Sequence, residues 1–384
     1  MPIDFDFLPN RRDSDSEKWH AFDENVLPMW VADMDFLSPP AVIRALQERV
    51  AHGVFGYGVK AHPFIEAIIE RMERFYHWHV TPEEVVLLPG VIPGFHLACL
   101  AVCEENQGVL VQTPVYTPLL FAAKTTNRLP QEAPLSSDAM GYYYTDWDAF
   151  ETTIDNRTQL FILCNPHNPV GRVYKQEELL KIAEICLQKG VIICSDEIHC
   201  DLIFPGHTHI PIASLDNEIA QNTITLMSPS KTYNLAGLKC SYAIIQNPDL
   251  RERYRSAARG LISSVNLLGL VAGLAAYREA EAWLKELMDY LTQNRDTLAQ
   301  FIRSYLPGIS MFQPEGTYLA WLDCRQLNIP GEPGEFFLRN ARVALNDGKI
   351  YGKEGEGFVR LNFGCPRLML LEALERMKNA VFVK

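Results

Sequence analysis

Short apolar runs recur through the middle of the chain, each closed by a polar or glycine- and proline-rich turn: EVVLLPGVIPG, GVLVQTPVYTP, QLFILCNPHNP, GVIICSDEIH, NTITLMSPSK and SYAIIQNP. Their length, β-branched content and flanks predict strands buried on both faces. Helical periodicity lies between several of them. The clearest case is KQEELLKIAEICLQKG, where Leu179, Ile182, Ala183 and Cys186 share one face, Glu177 and Lys181 form an i,i+4 pair, and Gly190 is the stop signal. Strand and helix in alternation predict an α/β fold with a mainly parallel central sheet covered on both faces. Around Leu250 the pattern changes to long helices, then to TYLAWLDC, ARVALN and GFVRLNFG, and then to a final helix beginning near Arg367. This tail predicts a second, smaller α+β domain. The expected division is a large domain over 46–275 and a small one built from 1–45 plus 276–384. The N-terminal segment through Pro39 and Pro40 is too short to fold alone and is expected to pack on the small domain.

Composition narrows the partners. The chain has 384 residues, 48% of them hydrophobic, enough for one large core and a smaller one. Its formal charge of −12 repels phosphate backbones and anionic membrane surfaces, which excludes nucleic acid as the expected partner. The longest apolar stretch, LISSVNLLGLVAGLAAY, carries Ser263, Ser264 and Asn266, so a buried helix is expected there rather than a membrane span. The opening MPIDFDFLPNRRDSDSEKWH lacks the basic and apolar regions of a signal peptide, and the expectation is a cytoplasmic enzyme. Nine cysteines, an odd number without any C-x-x-C pair, read as reduced, buried thiols rather than as a disulfide framework or zinc ribbon. No metal is expected: the His77/His79 and His207/His209 pairs have no carboxylate or thiol to complete a ligand set.

The chemistry-bearing residues sit just after the strands. Gly90 to Pro93, Tyr116, Asn165 to Asn168, Asp196 to His199 and Ser228 to Lys231 each follow a different apolar run. In an open α/β sheet, ligands bind outside the carboxyl ends of the strands, so these segments should converge on one pocket. Singly, each has an ordinary reading. Asp196 could cap a helix, Asn165 and Asn168 could form turns, and Tyr116 could pack in its loop. Arg360 could be a surface cation on an alternating strand, and His199 a satisfied structural histidine. Together they meet one set of demands. A lysine amine can form a Schiff base with an aldehyde, a carboxylate can hold a proton on a pyridine nitrogen, an aromatic can stack on a flat ring, and an amide can donate to a phenolate oxygen. Those are the demands of pyridoxal phosphate. The turn GVIPG leading into HLACLAV offers backbone donors for its phosphate at a helix N-terminus, with Ser228 and Lys239 as further contacts. A dinucleotide reading fails, because neither GVFGYG nor GKEGEG follows a strand and opens a helix.

NPHNPVGR, SDEIHCDL, SPSKTYNLAGLK and VRLNFGCPR resemble, in order and spacing, the fold-type I, pyridoxal-phosphate-dependent class I/II aminotransferase family, over nearly the whole chain. PMWVADMDF, HGVFGYG and DEIHCDL resemble its MalY/PatB branch of cystathionine β-lyases, which cleave carbon-sulfur bonds. That resemblance implies that Lys231 is the Schiff-base lysine, Asp196 the pyridinium partner, Asn168 a donor to the ring oxygen and Tyr116 the stacking ring. It also implies phosphate contacts at Val91, Ile92, Ser228 and Lys239, and Arg360 as the clamp on a substrate α-carboxylate. Tyr57 matches a tyrosine that reaches the neighbouring subunit's phosphate, which implies a homodimer. Trp30 and Asp33 are expected near the far end of the substrate. His199 departs from the tyrosine common in aminotransferases at this spacing, and either touches the cofactor or supports it. The implied reaction is α,β-elimination from a sulfur-containing L-amino acid. Aminotransfer is the enzymatic alternative, and capture of a regulatory protein partner is an alternative of a different class.

Overall fold

The computed structural model describes residues 3–56 and 61–382. Leu27–Pro28 forms β1. An eight-stranded sheet follows from β2 (Val85–Leu88), β3 (Gly108–Thr113), β4 (Leu129–Ser137), β5 (Tyr143–Thr145), β6 (Thr158–Cys164), β7 (Ile192–Asp196), β8 (Thr223–Met227) and β9 (Ser241–Ile244). Its order is β2-β9-β8-β7-β6-β3-β4-β5. The five strands from β8 through β4 are parallel to their neighbours, while β9 and β5 run antiparallel to theirs.

All six sequence-read runs are strands of this sheet. Side chains alternate across a strand, and each face has its own helices to pack against. Leu160, Ile162 and Val111 join one core with the helix Val91–Val102. Phe161, Leu163 and Leu110, one residue out of phase, join the opposite core with the helix Gln176–Lys189. Burial on both faces is why these strands lack polar alternation. The helix Gln176–Lys189 buries the predicted Leu179, Ile182, Ala183 and Cys186 and ends at Gly190, whose φ of 69° is the left-handed C-terminal conformation. Lys181, read as the partner of Glu177, stands over the Trp147 ring instead, 4.3 Å from its centroid.

Two elements differ from expectation. The apolar stretch read as a helix from Leu261 becomes helical only at Leu267, because the Asn266 side chain accepts from Gly269 N–H and caps the start there. The strand β4 carries Pro130 and Pro134, which mask it in the sequence.

Beyond the large sheet, β10 (Ser310–Met311), β11 (Leu319–Asp323), β12 (Val343–Ala344), β13 (Asn346–Asp347) and β14 (Phe358–Asn362) are the remaining strands among the described residues. The order β10-β11-β14-β13 makes an antiparallel sheet packed with the helices Glu281–Tyr305 and Arg367–Phe382. In the N-terminal segment, β1 pairs in parallel with β12, Leu27 opposite Val343. An ion network pins it. Fully buried Asp35 accepts from Lys18 Nζ at 2.6 Å, Arg11 Nη1 at 2.6 Å and Trp19 Nε1 at 2.8 Å. Removing one partner from so buried an arrangement typically costs about 3–5 kcal/mol, so the segment from Met29 to Phe36 is held firmly where it passes the sheet edge.

Candidate active site

The predicted strand-end segments meet at one cavity of about 340 Å³. Val91 and Ile92 line it from the start of their helix, Tyr116 from the turn after β3, and Asn168 from the turn after β6. Asp196 and His199 follow β7, and Ser228, Lys231 and Lys239 lie between β8 and β9. Arg360, on β14, is buried just behind this wall and donates from Nη1 to Asn168 Oδ1 at 3.0 Å. Tyr57 lies outside the described residues.

Lys231 is partly buried and, among the described residues, makes one side-chain polar contact, from Nζ to the Ala32 carbonyl at 2.6 Å. That carbonyl also accepts from the Tyr318 hydroxyl at 2.9 Å. Burial lowers the amine to about 8; the Arg360 charge pushes the same way, and Asp33 and Asp196 oppose it. The carbonyl is held from both sides. Asn362 Nδ2 donates to the carbonyls of Val31 and Asp33, both at 2.7 Å, and Asn234 Nδ2 donates to those of Met34 and Phe36, both at 2.9 Å. Asn234 has a φ of 58°, a left-handed conformation that asparagine tolerates, and it lies three residues after the lysine it helps to place.

Asp196 closes β7 with its carboxyl group buried. Ile198 N–H donates to Oδ1 at 3.1 Å, and among the described residues no donor reaches Oδ2. Burial, with neighbouring Glu197 adding to it, raises the group to about 7. A buried acid with an open oxygen asks for a cationic or donating partner. His199 is buried beside it, its ring edge-on to Tyr318 with centroids 6.0 Å apart, and among the described residues Nδ1 has no partner. Burial and the Lys231 and Arg360 charges hold its pKa well below the ordinary value, so the ring is neutral.

At the other end, the helix Val91–Val102 starts at Gly90 with no side-chain cap. Its first internal bond is from Gly94 N–H to the Gly90 carbonyl, which leaves the N–H groups of Val91 and Ile92 without a partner inside the helix. Such a terminus favours an anion. Lys239 faces it with a φ of 52°, a strained conformation of the kind that concentrates at functional sites. Ser228 Oγ donates to the Cys240 carbonyl at 2.7 Å and accepts from Ser230 N–H at 3.0 Å, so it organises the loop. The open Oδ2 of Asp196, the Lys231 amine and the uncapped helix start fit the ring nitrogen, aldehyde and phosphate of pyridoxal phosphate.

Trp30 and Asp33 stand outside the cavity wall. The Trp30 indole donates to the Lys18 carbonyl at 3.2 Å, and its own carbonyl accepts from Arg360 Nη2 at 2.8 Å. Asp33 pairs with Arg11 at 2.6 Å and lies 3.5 Å from Lys18. Four contributors were not read from the sequence: Ser230 and Ala32 in the cavity wall, Tyr318, and Asn346, whose Oδ1 accepts from Arg360 Nη2 at 2.8 Å. Ser230 lay inside a motif already singled out. Ala32 acts through its main chain, which no side-chain pattern reveals.

Residues 24–377 match the family of class I and II aminotransferases. The chain is 39% identical to cystathionine beta-lyase PatB of Bacillus subtilis (strain 168), covering 99% of this chain and all of that protein. It is 34% identical to protein MalY of Escherichia coli (strain K12), covering 93% of this chain and 92% of the relative. The crystal structure of cystalysin from Treponema denticola, which contains a pyridoxal 5'-phosphate cofactor, superposes with a TM-score of 0.95 at 33% identity over 99% of both chains. The lysine- and aspartate-bearing cavity and the full-length similarity agree: this chain belongs to the class I and II aminotransferase family.

Proposed function

We propose that this protein is a pyridoxal-phosphate-dependent carbon-sulfur β-lyase that converts L-cystathionine and related cysteine conjugates to a thiol, pyruvate and ammonia. The observation that carries the reading is the Lys231 amine sharing one cavity with buried Asp196, while Arg360 is bonded to Asn168 at the cavity's edge. Relatives named as cystathionine β-lyases support the substrate class.

Bound in this cavity, pyridoxal phosphate supplies an electron sink for the negative charge that develops at the substrate α-carbon. The chain does the rest. Asp196 keeps a proton on the ring nitrogen through its open oxygen. Asn168, whose Oδ1 is taken by Arg360, presents its Nδ2 as a donor to the ring oxygen. Tyr116 would offer its ring as a stacking surface for the cofactor, and neutral His199 completes the wall beside Asp196. The N–H groups of Val91 and Ile92, with Ser228 and Lys239, hold the phosphate. Arg360 clamps the α-carboxylate, and Lys231 removes the α-proton as a general base. The β-substituent leaves as a thiol, so L-cystathionine and water give homocysteine, pyruvate and ammonia. Trp30 and Asp33 belong to the segment that borders the far end of the substrate, where the Trp30 carbonyl steadies Arg360.

The same reading makes the enzyme a homodimer, with Tyr57 of each copy completing the other's phosphate site, and places it in the cytoplasm, where its buried, unpaired cysteines remain reduced. It divides the chain into a large cofactor-binding domain over 46–275 and a small domain from 1–45 plus 276–384.

Purified protein supplied with L-cystathionine and no keto acid should release pyruvate and thiol in equal amounts. Absence of pyruvate, with amino transfer once a keto acid is added, makes the protein an aminotransferase instead. Lys231 accepts a proton only as the free amine. The elimination rate should therefore rise with pH and level off above about 8, the value set by burial and the Arg360 charge. A rate that falls steadily between pH 6 and pH 8.5, on the order of the two units spanning that transition, contradicts the assignment of Lys231 as the base.

A further inference from the structure

This inference rests on the reading of Arg360 as the α-carboxylate anchor and concerns how that anchor keeps its charge. Arg360 is 3% exposed, in the middle of β14, in register with Asn346 on β13. A guanidinium buried this far is ordinarily offset by a carboxylate. Among the described residues no carboxylate pairs with it. Nη1 donates to Asn168 Oδ1 at 3.0 Å, and Nη2 donates to the Trp30 carbonyl and to Asn346 Oδ1, each at 2.8 Å. The Tyr351 ring lies 5.2 Å from Cζ, and among the described residues buried Nε has no acceptor. Every acceptor is neutral: two amides and one backbone carbonyl. The group is fixed in direction while its charge stays uncancelled, as its effect on the Lys231 amine also indicates.

The three acceptors are not equivalent. Asn168 also faces the cavity, and Trp30 acts through its main chain. The Asn346 side chain has Arg360 as its one polar partner among the described residues. We propose that Asn346 is a specificity-determining positioning residue: its neutral amide oxygen aims Arg360 at the substrate α-carboxylate without neutralising it. An aspartate of the same size would bring to Arg360 the charge that the substrate is meant to bring.

The test uses the holoenzyme and the absorbance of its cofactor to follow equilibrium binding of two small amines. L-alanine carries an α-carboxylate and no leaving group at Cβ; L-alaninol keeps the amine and carbon skeleton but replaces the carboxylate with a hydroxymethyl group. Asn346→Asp should weaken L-alanine by about tenfold or more and leave L-alaninol within about twofold, the scale expected for one charge-assisted contact. Asn346→Ala, which removes an acceptor without adding charge, should move the ratio the same way by less. General damage to the cavity weakens both ligands together, so the ratio separates positioning from a merely structural role. An unchanged ratio in Asn346→Asp, or an equal loss for both ligands, overturns the proposal; should that variant not retain cofactor, the ratio in Asn346→Ala decides in the same way. Arg360→Gln separates the two layers. A ratio that collapses in Arg360→Gln but not in the Asn346 variants leaves the anchor standing and removes Asn346, whereas a ratio that survives Arg360→Gln removes the anchor itself.

Discussion

Lys231→Ala is expected to lower thiol release from L-cystathionine by about 10⁴-fold or more, because the variant loses both the amine that bonds covalently to an aldehyde and the base that takes the α-proton. The surroundings predict that this loss comes with little structural damage. Among the described residues Nζ bonds only the Ala32 carbonyl, which keeps its bond from Tyr318, and the Ala32 segment remains tied to Asn362 and Asn234. A melting temperature within a few degrees of the parent, with the rate gone, is therefore the expected pair of results. The assay is thiol release at pH 8 beside a thermal melt followed by circular dichroism. Retention of more than about one hundredth of the rate would show that another group removes the proton, since a positioned base contributes about 10²–10⁴ on its own.

Asp196→Asn should separate function from stability in opposite directions. An amide cannot hold a proton on a ring nitrogen as a carboxylate does, so elimination should fall by about 10²–10⁴-fold, the range lost with a positioned acid or base. The cofactor-free protein should nevertheless become more stable at pH 8. The folded pKa of Asp196, at about 7, lies above that of an unfolded aspartate, so the native state holds the proton more tightly. Its contribution to stability is present at low pH and is lost as pH rises through about 7, when a buried charge must form without a partner. The asparagine variant escapes that loss, and its melting temperature relative to the parent should rise between pH 5.5 and pH 8, about one unit or more to either side of the transition. A constant difference across that interval would mean that Asp196 is not strained in the empty cavity. Stability sacrificed at a functional carboxylate is a common trade.

Six of the eight strands of the large sheet were readable because burial on both faces leaves an uninterrupted apolar run with turn residues at its end. The strand β4 was not, since Pro130 and Pro134 argue locally against a strand and only its parallel pairing with β3 reveals it. The late start of the helix at Leu267 was likewise a local competition, won by the Asn266 cap over the apolar content of Leu261 to Val265. Among site residues, Lys231, Asp196, Asn168 and Tyr116 were visible because strand ends in an α/β sheet share an edge.

Chain order and residue type alone thus specified the alternating architecture, the segments that must meet and the functional groups they bring. Direction, burial and charge state depended on contacts between segments far apart in the chain. Trp30 and Asp33 belong to a motif expected near the substrate, yet the indole turns to Lys18 and the carboxylate to Arg11. The Ala32 carbonyl that receives Lys231 comes from 199 residues away, and Asn346 reaches Arg360 across a strand pair. A side chain's environment is a sum over neighbours that sequence spacing does not encode, so the values near 7 and 8 at Asp196 and Lys231 emerge only when the sheet edge, the N-terminal segment and β14 are brought together.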